Sequence, residues 1–292
     1  MSQHNTQESK PNMTRPLILL TNDDGIDSAG LAAMAAALDP LGDLLIAAPS
    51  LQQSGMGRSF PNSNDGRIFE RRISFNGQSW DAYAVNASPA QAVQHGIVEL
   101  ADRQPSLVAS GINYGENVGV GVTGSGTVGA ALEAAGFGIP ALAISLEVDP
   151  SMHINNDPSV DFSAAIHFTR FFAQKWLAVK CPPDVDVLKI DIPKHATPDT
   201  PWQLARLERA RCFVPTPPLR RALGDEGRLG YIYDRRIGLD KESDAAVVWS
   251  GRVAVTPLQL DITSRVEAQV LHTLLNGDHC DNGNGHHADD AE

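Results

Sequence analysis

The chain has 292 residues, 42% hydrophobic and 20% charged, which is enough for one large domain with a substantial core. Its formal net charge is −12, and the body stays acidic even without the tail's Asp278, Asp281, Asp289, Asp290 and Glu292, so a long nucleic-acid polymer is not expected as a partner. Cys181, Cys212 and Cys280 form neither a zinc pattern nor a disulfide framework, and no run reaches the roughly 18 apolar residues of a membrane span. The polar start has no signal-peptide core. These features lead to the expectation of a cytoplasmic protein with no membrane attachment.

Residues 1–14 and 277–292 are polar and read as disordered tails, leaving 15–276 as the body. Leu17–Leu20 reads as a buried strand and ends in Thr21-Asn22-Asp23-Asp24-Gly25. Adjacent carboxylates at such a strand end repel each other unless a cation or strong donors compensate them. The ends of strands in open α/β sheets are also where ligands bind. The same residues are good turn chemistry, so the segment alone leaves a metal site and an exposed turn both open.

Residues 28–38, rich in Ala, Leu and Met, read as a helix, and Asp43–Ala48 as a strand closed by Pro49. A polar loop over 50–65 reads as mobile. Residues 67–75 and 80–85 alternate like paired strands around the Asn76-Gly77 turn signal. Residues 89–101 read as a helix and 107–110 as a strand. A glycine-rich loop, 111–126, opens into a helix at Thr127–Gly136, followed by a strand at Ala141–Leu146, a helix over 162–179 and a strand over 187–191. Past Pro198, periodicity weakens and prolines cluster. Residues 231–236 and 245–255 read as extended, which gives a β-rich excursion at about 200–250. Strand–helix alternation of this kind implies an α/β fold with a mostly parallel, doubly wound sheet. Trp80 and Tyr83 are candidates for a base pocket, but their strand spacing favours the core.

The loop suits an anion. Its glycines let backbone N–H groups approach a ligand, and the helix that follows offers free N–H groups and a positive dipole end. Ser125, Thr127 and the Asn117 amide can add donors. Gly119 to Gly124 also fits G-x-G-x-x-G, but too far beyond its strand for a dinucleotide fingerprint. Ser125 stands where a P-loop needs lysine. Asp23, Asp24, Asn113 and the loop around Ser54 all follow predicted strands and offer only oxygen ligands, which favours Mg²⁺, Mn²⁺ or Ca²⁺ over zinc.

Leu19-Leu20-Thr21-Asn22-Asp23-Asp24-Gly25-Ile26, Ala48-Pro49 with Gln53-Ser54-Gly55, Ser110-Gly111-Ile112-Asn113 with Gly115 and Asn117, and Ser125-Gly126-Thr127-Val128 together resemble the SurE family of metal-dependent 5′/3′-nucleotidases. The ordered set spans about 16–147, with an echo of the family's closing strand at 251–258. The resemblance implies a Rossmann-like α/β core with a C-terminal β-hairpin excursion and a homodimer or homotetramer with exchanged C-terminal elements. It makes Asp23, Asp24, Ser54 and Asn113 the ligands of one divalent cation, Mg²⁺ or Mn²⁺, with Ca²⁺ as a stand-in in a crystal. Asn117, Ser125, Gly126 and Thr127 become the phosphate cradle.

The expected reaction is hydrolysis of nucleoside 5′- or 3′-monophosphates by metal-activated water, with Asp23 and Asp24 as catalytic residues and Asp24 as the water's base. The chain departs from the family pattern at 86–92, at Gly124 and at Ser28-Ala29-Gly30, none of them an expected metal ligand. Three other readings are open. A haloacid-dehalogenase-type phosphatase needs D-x-D where this chain has adjacent aspartates. A receiver-like domain is about 120 residues and lacks the Ser-Gly-Thr helix start. A non-catalytic dimeric scaffold has no need to keep every oxygen ligand.

Overall fold

The computed structural model describes residues 15–149, 152, 159–233 and 240–277, so the two expected tails lie outside the described residues except for Gly277. Compactness divides the chain into a unit ending at Leu260 and a second beginning at Asp261. In the first, strands β1 (Leu17–Thr21), β2 (Asp43–Pro49), β3 (Ile68–Phe75), β4 (Gln78–Val85), β5 (Leu107–Tyr114), β6 (Ala141–Leu146), β7 (Val187–Ile192), β8 (Trp202–Leu204) and β11 (Val253–Leu258) form one sheet in the order β3-β4-β2-β1-β5-β6-β7-β11-β8. The six strands from β4 to β7 run parallel; β3 and β11 pair antiparallel with β4 and β7. The α/β, mostly parallel, doubly wound reading is thus what the chain adopts.

Helices α1 (Ala29–Leu38) and α4 (Ser163–Ala178) cover one face of the sheet, and α2 (Pro89–His95) and α3 (Gly126–Gly136) the other. β1 shows why its run is unbroken: Ile18 and Leu20 enter the α1/α4 core, Leu19 enters the α2/α3 core, and all five strand residues are buried. Burial on both faces removes the need for polar alternation. From β1 the chain winds through β2 to one side and returns with β5 on the other. The carboxyl ends of β1 and β5 therefore flank the point where strand order reverses, where such sheets open a crevice.

The hairpin at Asn76-Gly77 forms as expected, with both residues at positive φ. Trp80 and Tyr83 pack against the core. The segment 245–255 differs from its extended reading: α5 (Asp244–Trp249), capped by the Ser243 hydroxyl, precedes β11. The excursion contains a two-stranded antiparallel hairpin of β9 (Phe213–Thr216) and β10 (Gly230–Tyr233); the expected extension to residue 236 lies outside the described residues. The second unit carries α6 (Ala268–Leu275), none of whose residues is buried. Among the described residues no helix is long and apolar enough to cross a membrane.

Candidate active site

Beyond β1 the chain turns sharply. Asn22 accepts from the Gly25 N–H at 3.2 Å and donates its amide to the Gly25 carbonyl at 3.0 Å, closing the turn. Asp23 and Asp24 are thereby held inside, 5% and 4% exposed. The Thr127 hydroxyl donates to Asp23 Oδ1. Asp24 accepts from the Tyr114 N–H at 3.3 Å and the Gln52 amide at 3.2 Å. Burial raises the Asp23 carboxyl above its usual range, with Thr127 acting against it. Burial, then the charge of Asp23, pushes Asp24 up to about 8. Among the described residues no cationic side chain pairs with either carboxylate.

The loop after β2 is tied to its neighbours at several points. The Gln53 N–H donates to the Asp23 carbonyl at 2.7 Å and the Gly57 N–H to the Gly124 carbonyl at 3.0 Å. Arg58 donates to Glu133 on α3 at 2.7 Å, and Gln94 holds the other Glu133 oxygen at 2.9 Å. The Gly57 carbonyl lies where a Cβ at Gly129 would stand 2.3 Å away, so only glycine lets this loop rest on α3. These contacts hold Ser54 beside the end of β1.

Asp23, Asp24, Ser54, Asn113, Asn117 and Ser125 all line one cavity of about 590 Å³. The Asn113 amide donates to the Gly115 carbonyl at 2.7 Å, which leaves its oxygen as an acceptor. Two buried carboxylates without a cationic partner, beside an amide oxygen and a hydroxyl, form a donor set that fits a hard divalent cation. No cluster of three or more His, Cys, Asp or Glu side chains with metal-binding geometry occurs among the described residues, so such a set rests on the neutral oxygens as well.

Ser125 caps α3 by accepting from the Val128 N–H at 3.1 Å, placing its hydroxyl and the helix N-terminus at the cavity. Gly126 and Thr127, expected in the phosphate cradle, sit behind it. Thr127 is fully buried with its hydroxyl on Asp23, and a Cβ at Gly126 would stand 2.6 Å from that of Asp23. Both residues set the carboxylate's place. The Asn117 amide, expected on phosphate, donates to Ser145 Oγ at 2.9 Å, which leaves its second amide proton for a ligand.

The far wall of the cavity was not legible in the sequence. Arg211, Phe213, Pro215, Leu229 and Tyr231 come from β9, β10 and the segment before them. Phe213 meets Tyr231 edge-on at 6.1 Å between centroids. Arg211 is exposed and makes no ion pair or hydrogen bond among the described residues. Alternation of Phe213 with Pro215 was the available signal, masked by the surrounding prolines.

A family model described as Survival protein SurE matches residues 18–213. A 5′-nucleotidase SurE of Methanosarcina barkeri is 39% identical over 273 residues, covering 89% of this chain and 98% of that protein. One of Thermococcus gammatolerans is 37% identical over 269 residues, covering 91% and 98%. In structure, the SurE protein from Aquifex aeolicus aligns with a TM-score of 0.70 at 27% identity, over 89% of this chain and all of that one.

Proposed function

The chain belongs to the SurE family, and on that premise we propose that it is a phosphoric monoester hydrolase acting on nucleoside 5′- or 3′-monophosphates with the help of one divalent cation. The observation that carries the reading is convergence. Asp23 and Asp24 after β1, Ser54 after β2, Asn113 and Asn117 at and beyond β5, and Ser125 at the start of α3 share one cavity at the reversal point of the sheet.

Asp23, Asp24, Ser54 and Asn113 would hold Mg²⁺ or Mn²⁺, which when bound supplies a Lewis acid and a counter-charge for the phosphoryl group. The chain's own residues do the rest. Thr127 fixes the Asp23 carboxylate, while the Tyr114 N–H and Gln52 fix Asp24. Asp24, held beside the place of the cation, is the carboxylate assigned to take the proton of an attacking water. The Ser125 hydroxyl and the remaining Asn117 proton hold phosphoryl oxygens as charge builds on them. Phe213 and Tyr231 offer ring faces and edges to a nucleobase, and stacking of that kind tolerates any base. The exposed α6, with Leu271, Leu274 and Leu275, fits assembly into a homodimer or homotetramer.

The deciding assay follows phosphate release from 5′- and 3′-nucleoside monophosphates and from β-glycerophosphate with Mn²⁺, and again in excess EDTA. Turnover of nucleotides that stops with chelation and returns on adding Mn²⁺ is the expected result. Undiminished turnover in EDTA would remove the metal from the reading, and no turnover of any monoester would remove the activity.

A further inference from the structure

Lys189 lies in the middle of β7 with none of its surface exposed. Its ammonium meets the Asp191 carboxylate two residues on, and Asp244 Oδ2, at the start of α5, at 3.0 Å. Both aspartates are also fully buried. Burial works against the ammonium, but the two carboxylates outweigh it and hold Lys189 above the usual lysine range. One cation and two anions leave a net negative charge in the interior. Such a group is costly unless donors occupy its remaining oxygens.

The donors are backbone N–H groups, and their positions matter. Asn117 donates to Asp191 Oδ1 at 2.8 Å. Gly119 donates to Asp244 Oδ2 at 3.0 Å, while Glu208 and Ala245 each donate to Asp244 Oδ1 at 2.9 Å. Two of these bonds hold the loop that leads from β5 to α3. A third holds the segment running into Arg211 and Phe213 on the opposite wall of the cavity. One sealed charge cluster therefore grips both sides of the substrate cavity through their backbones.

We propose that Lys189, Asp191 and Asp244 act as positioning residues: Asp191 fixes Asn117 at the phosphate side, and Asp244 ties the Gly119 loop to the arm that carries the aromatic wall. A loop of glycines has little intrinsic preference for one conformation. A buried carboxylate that loses a donor pays a large penalty, and that penalty selects the loop's geometry. The catalytic part of this inference rests on the phosphatase reading; the structural part does not.

Amide hydrogen exchange tests the structural part in the metal-free protein. In the wild type the Asn117 and Gly119 amides are expected to be protected like those of β1; fast exchange at both would overturn the proposal without any variant. In Asp191→Ala, Asn117 exchange is expected to rise by about 10- to 100-fold, the worth of one hydrogen bond to a charged group, with Ile18–Leu20 unchanged. Unchanged Asn117 exchange would overturn it. Steady-state kinetics tests the catalytic part. Asp191→Ala should lower kcat by about tenfold, Asp191→Asn, which keeps an acceptor oxygen, should recover most of it, and Asp191→Ala with Asn117→Ala should be no worse than Asn117→Ala alone. A merely structural role would lower the melting temperature and leave kcat per folded molecule within threefold, or would give losses that multiply. Absence of turnover in the wild type would defeat the nucleotidase reading, and the exchange measurements would still decide the cluster's role.

Discussion

The molecule buries two pairs of carboxylates and compensates them in opposite ways. Asp191 and Asp244 receive a lysine from the chain itself, in addition to backbone donors. Asp23 and Asp24 receive only neutral donors, the Thr127 hydroxyl, the Gln52 amide and backbone N–H groups. The first pair is complete as folded. In the second, burial raises the proton affinity of both carboxyls, and the charge of Asp23 adds to it at Asp24, with no cation of the chain acting against it as Lys189 does at Asp191. A cation built into the chain makes a permanent joint, whereas a position left for a cation from solution makes a site whose occupancy and chemistry can change.

Substitutions at each pair sharpen or break this contrast. The largest effect is expected for Asp23→Asn. With Mn²⁺, kcat should fall by about a thousandfold or more, or ~4 kcal/mol of barrier. In EDTA its melting temperature should equal or exceed that of the wild type, because one of two mutually repelling charges is gone. A clear fall in that temperature would place Asp23 with the structural pair. Next comes Lys189→Met, which leaves Asp191 and Asp244 without their cation and should cost about 3–5 kcal/mol in urea unfolding. Retained stability would mean that backbone donors alone suffice, and the contrast would fail.

The smallest effect is a pH slope in the metal-free protein. Asp24 goes from an ordinary 3.8 to about 8 on folding. A carboxyl whose folded value is raised contributes stability that is whole below its unfolded value and is lost as pH rises through the folded one. The melting temperature in EDTA should therefore drop by a few degrees between about pH 6 and about pH 8.5. Asp24→Asn should flatten that slope, and an equal slope in the variant would assign it elsewhere.

The first half of this fold was open to reading because its signals are local. An apolar run buried on both faces and an Asn-Gly turn each act within a few residues. The oxygen ligands were visible because each follows a strand. The rest depended on distant partners. Lys189 in an apolar strand has its second carboxylate 55 residues away, on a helix that read as extended. β8 has three residues, and β9 contains a proline that weakens any strand signal. Arg211 and Tyr231 reach the cavity only because β9 pairs with β10 across a long connection. A helix start points to an anion near Thr127, while its hydroxyl goes to Asp23, more than a hundred residues earlier in the chain.

The close approach of Gly126 to Asp23 has a practical use. With 2.6 Å between an added methyl and the aspartate's own Cβ, one of them has to yield. Gly126→Ala would preserve every charge and every oxygen of the pocket while shifting one of them. It would make a control protein with the parent's isoelectric point and an altered hub, against which ion uptake can be compared free of any change in overall electrostatics.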